Sequence, residues 1–120
     1  MAKKRIIIKL SGEAVSGDKS QAIDPNKVRD IAFEIKKAYD LGGLQIGVIV
    51  GGGNIWRGKT AQEMGMERSS ADYMGMIATI MNALALQNAL EELGLETRTM
   101  TSLNIPQVAE PYIRRKAISN

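Results

Sequence analysis

Ile46-Gly47-Val48-Ile49-Val50-Gly51-Gly52-Gly53-Asn54-Ile55-Trp56-Arg57-Gly58 reads as an apolar strand running straight into a glycine-bearing loop. A second unit of the same kind lies upstream, in Ile6-Ile7-Ile8-Lys9-Leu10-Ser11-Gly12. The apolar runs are short and β-branched, without polar alternation at Ile6-Ile7-Ile8, as in strands buried in a parallel sheet. Glycines let backbone N–H groups approach an anion that a side chain would push away. Lys9 and Arg57 add fixed positive charge beside the two loops. Together they predict a site for a nucleotide or another phosphorylated ligand.

Working outward, residues 4–10 and 45–50 are the first two strands. Between them, Asp24-Pro25 opens a helix with Asp24 as N-cap and Pro25 at the first helical position. Val28, Ile31, Ala32, Ile35 and Ala38 keep one apolar face at helical spacing, and Gly42 or Gly43 closes the helix. Residues 59–68 read as a loop or short helical turn broken by Gly65. A long helix, apolar on nearly all sides, runs from about Ser70 to Leu93 and stops at Gly94. Residues 95–101 are a third strand, and Tyr112 to Ile118 begin another helix. This β-α-β-α-β-α order predicts an α/β fold, a three-layer α/β/α sandwich with a mainly parallel sheet. Lys9 and Gly51–Gly53 then stand at the carboxyl ends of neighbouring strands and line one crevice. Three strands make a thin sheet, and the last helix stops after one or two turns. Both features suggest an ordered unit that continues elsewhere.

Composition narrows the chemistry. The 120 residues amount to one domain or a piece of one, with 44% apolar and 24% charged residues, ordinary for a globular protein. There is no cysteine and no histidine. Disulfides, thiolate nucleophiles, imidazole bases and ordinary Cys or His metal sites are excluded, which leaves Lys, Arg, Asp, Glu, Ser, Thr and the backbone. The net charge of +3 comes partly from Lys3-Lys4-Arg5 and Arg114-Arg115-Lys116. No aromatic or basic stripe accompanies these clusters, so they read as solvated ends and no nucleic-acid partner is expected. The N-terminus lacks a signal-peptide core. The uncharged run from Tyr73 to Leu90 is interrupted by Gly75, Thr79, Asn82, Gln87 and Asn88, so a buried helix is expected and no membrane span. A cytoplasmic location follows.

Gly53-Asn54-Ile55-Trp56-Arg57-Gly58-Lys59-Thr60 matches the P-loop pattern G-x-x-x-x-G-K-[ST] after a strand. A P-loop NTPase using Gly53–Thr60 is therefore one alternative, and a non-catalytic nucleotide-binding module another. Against the P-loop, Gly51 and Gly52 intervene before the first motif glycine, Gly65 breaks the following helix, and no downstream strand ends in a magnesium-binding Asp. The dinucleotide fingerprint G-x-G-x-x-G fails because Trp56 stands at its third glycine. Simpler explanations exist for each candidate. Gly51–Gly53 could be a tight connection, Lys9 an exposed strand-end charge, Arg57 a solvated loop charge and Asp72 an ordinary N-cap. The Met-rich helix over 74–81 suits packing, within a subunit or between subunits.

Three motifs in order carry a family resemblance. They are Lys9-Leu10-Ser11-Gly12-Glu13-Ala14, Gly51-Gly52-Gly53-Asn54-Ile55-Trp56-Arg57-Gly58, and Ala71-Asp72-Tyr73-Met74-Gly75-Met76 at the opening of the long helix. With Met81-Asn82-Ala83-Leu84-Ala85 and Ala109-Glu110-Pro111-Tyr112-Ile113, the chain resembles the bacterial UMP kinases of the amino acid kinase superfamily along essentially its whole length. The resemblance implies an amino acid kinase-like fold and transfer of the γ-phosphoryl group of ATP to UMP with Mg²⁺, giving UDP. It implies that Lys9 contacts the transferring phosphoryl group, and that Lys9, Leu10, Ser11 and Gly12 touch ATP phosphates. Gly52 would contact UMP, Gly53 and Arg57 the nucleotide phosphates, and Asp72 the UMP ribose. It also implies a homohexamer built from dimers that pack through the long helix. Phosphoryl transfer needs positioning and charge neutralisation with no covalent nucleophile, which suits a chain without His or Cys.

The resemblance also marks what is missing. The family's chains run well beyond residue 120, and the adenine pocket and the segment cradling UMP lie in that further part. Residues 1–120 are thus expected to be the N-terminal, UMP-binding half, with the ATP-binding half absent and little activity on their own. No magnesium ligand is identified among them. Gly17-Asp18-Lys19-Ser20-Gln21-Ala22-Ile23 carries fewer glycines than is common in the family, in a segment tied to activation by GTP, which puts that regulation in doubt.

Overall fold

Strand β1 (Lys4–Leu10) and strand β2 (Leu44–Val50) lie parallel and side by side in the computed structural model, which describes residues 4–17, 21–101 and 110–111. The register pairs Lys4 with Leu44 and Leu10 with Val50. The strands therefore end level, and both glycine loops leave from the same edge of the sheet, as the sequence predicts.

Helix α1 (Pro25–Asp40) makes the crossover between them. The Asp24 carboxylate accepts from the Asn26 N–H at 2.9 Å, and Pro25 occupies the first turn, where a missing N–H costs nothing. Val28, Ala32 and Ile35 are its buried stripe. Gly42 follows the last residues with φ +85°, the left-handed geometry that closes a helix without a Cβ penalty. A six-residue helix, α2 (Gly58–Glu63), then precedes the long helix α3 (Arg68–Glu92). The latter starts two residues before the expected Ser70. It ends where expected: the Gly94 N–H donates to Glu91 O and the Leu95 N–H to Leu90 O, with Gly94 at φ +86°.

Side chains alternate across the sheet. Ile8, Leu10, Ile46, Val48 and Val50 face α1 and α3, packing with Val28, Ala32, Ile35, Leu86, Ala89 and Leu90 into one core. Each Val, Leu or Ile side chain of this core, once fully buried, contributes about 1.5–3 kcal/mol. Ile7 and Ile49 point the other way and are 68% and 54% exposed. Among the described residues the helices thus cover one face of the sheet, and the expected helix over 112–118 lies outside them.

The third strand differs from expectation. Only Met100–Thr101 (β3) is extended in a ladder, and its parallel partner is Glu110–Pro111 (β4), apart from the β1–β2 pair. Residues 95–99 make side-chain bonds instead. Gln87 of α3 donates to Thr97 O at 3.2 Å and accepts from the Thr99 hydroxyl at 2.6 Å, and the Thr97 hydroxyl donates to Leu95 O at 3.1 Å. Threonine-rich segments can satisfy backbone groups in this way without a ladder.

Candidate functional site

The level ends of β1 and β2 hold the two glycine loops against each other. The Gly51 N–H donates to Leu10 O at 2.9 Å. Gly12 is buried, and a Cβ on it would lie only 2.7 Å from Gly53 N and would strike the Asn54 side chain as well. Any larger residue at 12 would force the loops apart. The chain continues from Gly12 into a single 3-10 turn, Gly12–Val15, preceded by an extended Ser11. Glu13 in that turn pairs with the Arg57 guanidinium across the two loops.

Loop 51–56 lies along one face of α3. At one end the Trp56 indole N–H donates to Ala71 O at 3.1 Å. In the middle Gly52 rests on the helix, where a Cβ would meet the Ala78 Cβ and Thr79 N at 2.9 Å. At the other end the Asn82 amide, fully buried, donates to Gly51 O at 2.8 Å and to Asn54 Oδ1 at 2.7 Å. The Asn54 amide returns a bond to Asn82 Oδ1 at 3.1 Å and donates to Ala22 O at 2.8 Å. Ala71, Gly75, Ala78 and Asn82 are spaced four, three and four residues apart, one stripe of a helix.

Three successive carbonyls of the loop are tied down. Gly51 O accepts from Asn82, Gly52 O from the Ile55 and Trp56 N–H groups at 3.0 Å, and Gly53 O from Arg57 Nε at 2.8 Å. The N–H groups of Gly52, Gly53 and Asn54, each following one of these carbonyls, donate to nothing among the described residues. A run of free N–H groups, with nothing within 4 Å of where a Cβ on Gly53 would lie, is a ready site for an anion.

The predicted site residues fall around this floor. Lys9 is exposed at the end of β1, opposite Ile49, and its ammonium has no hydrogen bond or ion pair among the described residues. Leu10 supplies the carbonyl that holds Gly51, and Ser11 and Gly12 continue the first loop. Arg57 is not a bare loop charge: it braces Gly53 and neutralises Glu13. Asp72 is exposed in the second turn of α3, five positions after the N-cap Glu67, so it is not the cap. It sits next to Ala71, the residue Trp56 holds.

Glu13, Asn54, Trp56 and Asn82 are structural members of the site that sequence reasoning left without a role. An amide residue in the apolar run of α3, on the same helical stripe as Ala71, Gly75 and Ala78, was the available signal for Asn82. The P-loop match does not form the wrapped loop it needs. The N–H groups of Ile55, Trp56, Thr60 and Ala61 are taken up within the segment, and Lys59 and Thr60 are exposed on the short α2. No group of three or more acidic side chains among the described residues converges to hold a metal ion. No described helix is long and apolar enough to cross a membrane.

Comparison with known proteins agrees with this geometry. The chain is 61% identical over 115 residues to the uridylate kinase of Limosilactobacillus reuteri, covering 96% of this chain and 48% of that protein. It is 59% identical to the uridylate kinase of Aster yellows witches'-broom phytoplasma, over 96% of this chain and 47% of the relative. The chain therefore spans about half the length of the curated relatives it matches. Among solved structures, UMP kinase from Ureaplasma parvum superposes with a TM-score of 0.91 at 39% identity, covering 99% of this chain and 51% of that one. UMP kinase from Bacillus anthracis gives 0.90 at 40% identity, with 99% and 49% coverage. An aspartate kinase from Synechocystis, 19% identical, shares the fold over 82% of this chain and 17% of its own, with a TM-score of 0.63. The model of the amino acid kinase family matches residues 4–118, and with strand ends, glycine loops and α3 arranged as described, this chain belongs to that family.

Proposed function

We propose that this chain is the N-terminal, UMP-binding half of a UMP kinase, and that the whole protein transfers the γ-phosphoryl group of ATP to UMP. The reading rests above all on the run of three unpartnered N–H groups, Gly52 to Asn54, set beside the end of the strand that carries Lys9. The similarity to uridylate kinases supports it. An oxygen of the UMP phosphate attacks the γ-phosphorus, the bond to the β-phosphate oxygen breaks, and ADP and UDP result. Two anions must meet, so positioning and fixed positive charge carry the catalysis.

In this reading Lys9 contacts the transferring phosphoryl group, and Leu10, Ser11 and Gly12 line the ATP phosphates. Gly52 contacts UMP. Gly53 and Arg57 contact the nucleotide phosphates; with five N–H donors, Arg57 can hold Gly53 O and Glu13 and still meet a phosphate. Asp72 accepts from the ribose hydroxyls of UMP. Mg²⁺ accompanies ATP and has no carboxylate cluster of the described residues to bind it, so this half binds and positions. The enzyme would work in the cytoplasm as a homohexamer built from dimers.

Two lysines separate this reading from the P-loop. In the intact protein, Lys9→Ala is expected to lower the rate of UDP formation on the order of 10²–10³-fold, the usual cost of losing one preorganised donor. Lys59→Ala should stay within a few-fold of wild type. The opposite ranking in a coupled assay would reject the assignment.

A further inference from the structure

We propose that Asn82, buried on α3, is a positioning residue for phosphate binding: it aims the Gly52–Asn54 N–H groups by holding the carbonyl that precedes them. The inference rests on the phosphate-binding reading above and extends it to a residue that touches no ligand. In a trans peptide the C=O and the following N–H point in opposite directions, and no peptide bond among the described residues is cis. The bond from Asn82 Nδ2 pulls Gly51 O towards α3, so the Gly52 N–H points away from the helix. The next two carbonyls, held by Ile55, Trp56 and Arg57, set the following two N–H groups.

Asn82 is suited to this task because its amide cannot turn. Its oxygen takes the Asn54 N–H, and its nitrogen serves both Gly51 O and Asn54 Oδ1. A reversed amide would place its oxygen against Gly51 O and its NH₂ against the NH₂ of Asn54. Asn54 is itself held by Ala22 O, and its Oδ1 packs against Gly12, where a Cβ would strike it. One buried amide pair thus connects α3, both glycine loops and the segment before α1. A fully buried polar side chain with every partner satisfied specifies one arrangement of its neighbours.

The test compares UMP with uridine, which lacks the phosphate, by calorimetry on the intact protein. Spectra of ¹⁵N-glycine-labelled protein follow the 12 glycine amides of residues 1–120 in parallel. In wild type, UMP but not uridine should move the Gly52 and Gly53 amides. Asn82→Leu keeps the size, adds no charge and removes every bond of the amide. It is expected to weaken UMP about 10- to 100-fold, the loss of one or two charge-assisted hydrogen bonds, with uridine binding within about two-fold. Glycines far from the loop, such as Gly94, should keep their shifts. Asn54→Ser, a milder change that leaves Asn82 on Gly51 O, should cost UMP about 3- to 10-fold by the same logic and decides the matter if Asn82→Leu does not fold. Asn88→Ala, further along α3, should match wild type. Equal loss of UMP and uridine, or none, would overturn the role of Asn82 and leave the phosphate site standing. An intact wild-type protein with no preference for UMP over uridine would overturn both.

Discussion

Single glycines in the second loop have different jobs, and the difference can be measured. A Cβ at Gly52 would press on the Ala78 Cβ and on the backbone of α3 at 2.9 Å, whereas a Cβ at Gly53 meets nothing within 4 Å. Backbone cannot yield as a flexible side chain does. Gly52→Ala is therefore expected to cost about 1–3 kcal/mol, as overpacking usually does. Gly53→Ala should change stability by less than about 0.5 kcal/mol, as for a surface site. Denaturant unfolding of the two variants compares them directly, and matching midpoints would show that Gly52 is not in tight contact with the helix. Arg57 makes the related point about charge. The sequence marks it as a cation, but its ion pair with Glu13 makes it part of the floor before any anion arrives.

At the level of elements, the helix ends are built from local chemistry alone. Asp24-Pro25 starts α1, and Gly42, Gly65 and Gly94 follow the ends of α1, α2 and α3 with positive φ. The end of α3 carries both bonds of the closing motif, from Gly94 and Leu95 to Glu91 and Leu90. Gly94→Ala forces a Cβ into left-handed backbone and is expected to destabilise by about 1 kcal/mol. Nothing lies within 4 Å of that Cβ, so packing adds no further cost. The midpoint of thermal unfolding should fall accordingly, and an unchanged midpoint would mean that the helix end relaxes freely. The third strand, by contrast, cannot be read locally. Its alternating residues are drawn by Gln87 of α3 into side-chain bonds.

For the whole molecule, α3 works on two sides. One stripe carries the glycine loop, and another leaves Tyr73, Ile77 and Met81 about half exposed at spacings of four. Exposed apolar stripes of this kind mark contact surfaces, and a second copy of α3 is the proposed occupant. The chain is expected to run above a monomer's mass in light scattering. Ile77→Glu, which sets a charge in the middle of the stripe, should return it to a monomer while leaving UMP binding within a few-fold. A monomeric wild type would remove the dimer from the proposal. The open face of the sheet, with Ile7 and Ile49, is a second uncovered apolar surface in a chain half as long as its relatives.

What the sequence determined by itself is what neighbouring residues encode. It specified two β-branched strands, an amphipathic α1 with a carboxylate cap and a glycine stop, a long apolar α3, and two glycine loops at the carboxyl ends of the strands. Periodicity, caps and turns act over a few residues, so they are legible in one dimension. The tertiary structure alone decided which candidates meet and which do not. Asn54 and Asn82 are 28 residues apart, and Glu13 and Arg57 are 44 apart. The Walker-like match at Gly53–Thr60 is complete in sequence but does not wrap as a P-loop, because its Ile55, Trp56 and Thr60 N–H groups close local turns, while those of Gly53 and Asn54 stay free among the described residues. A pattern of residue types cannot say where a carbonyl points. That is set by which buried side chain reaches it, and only the packing of α3 under the loop brings Asn82 to Gly51 O.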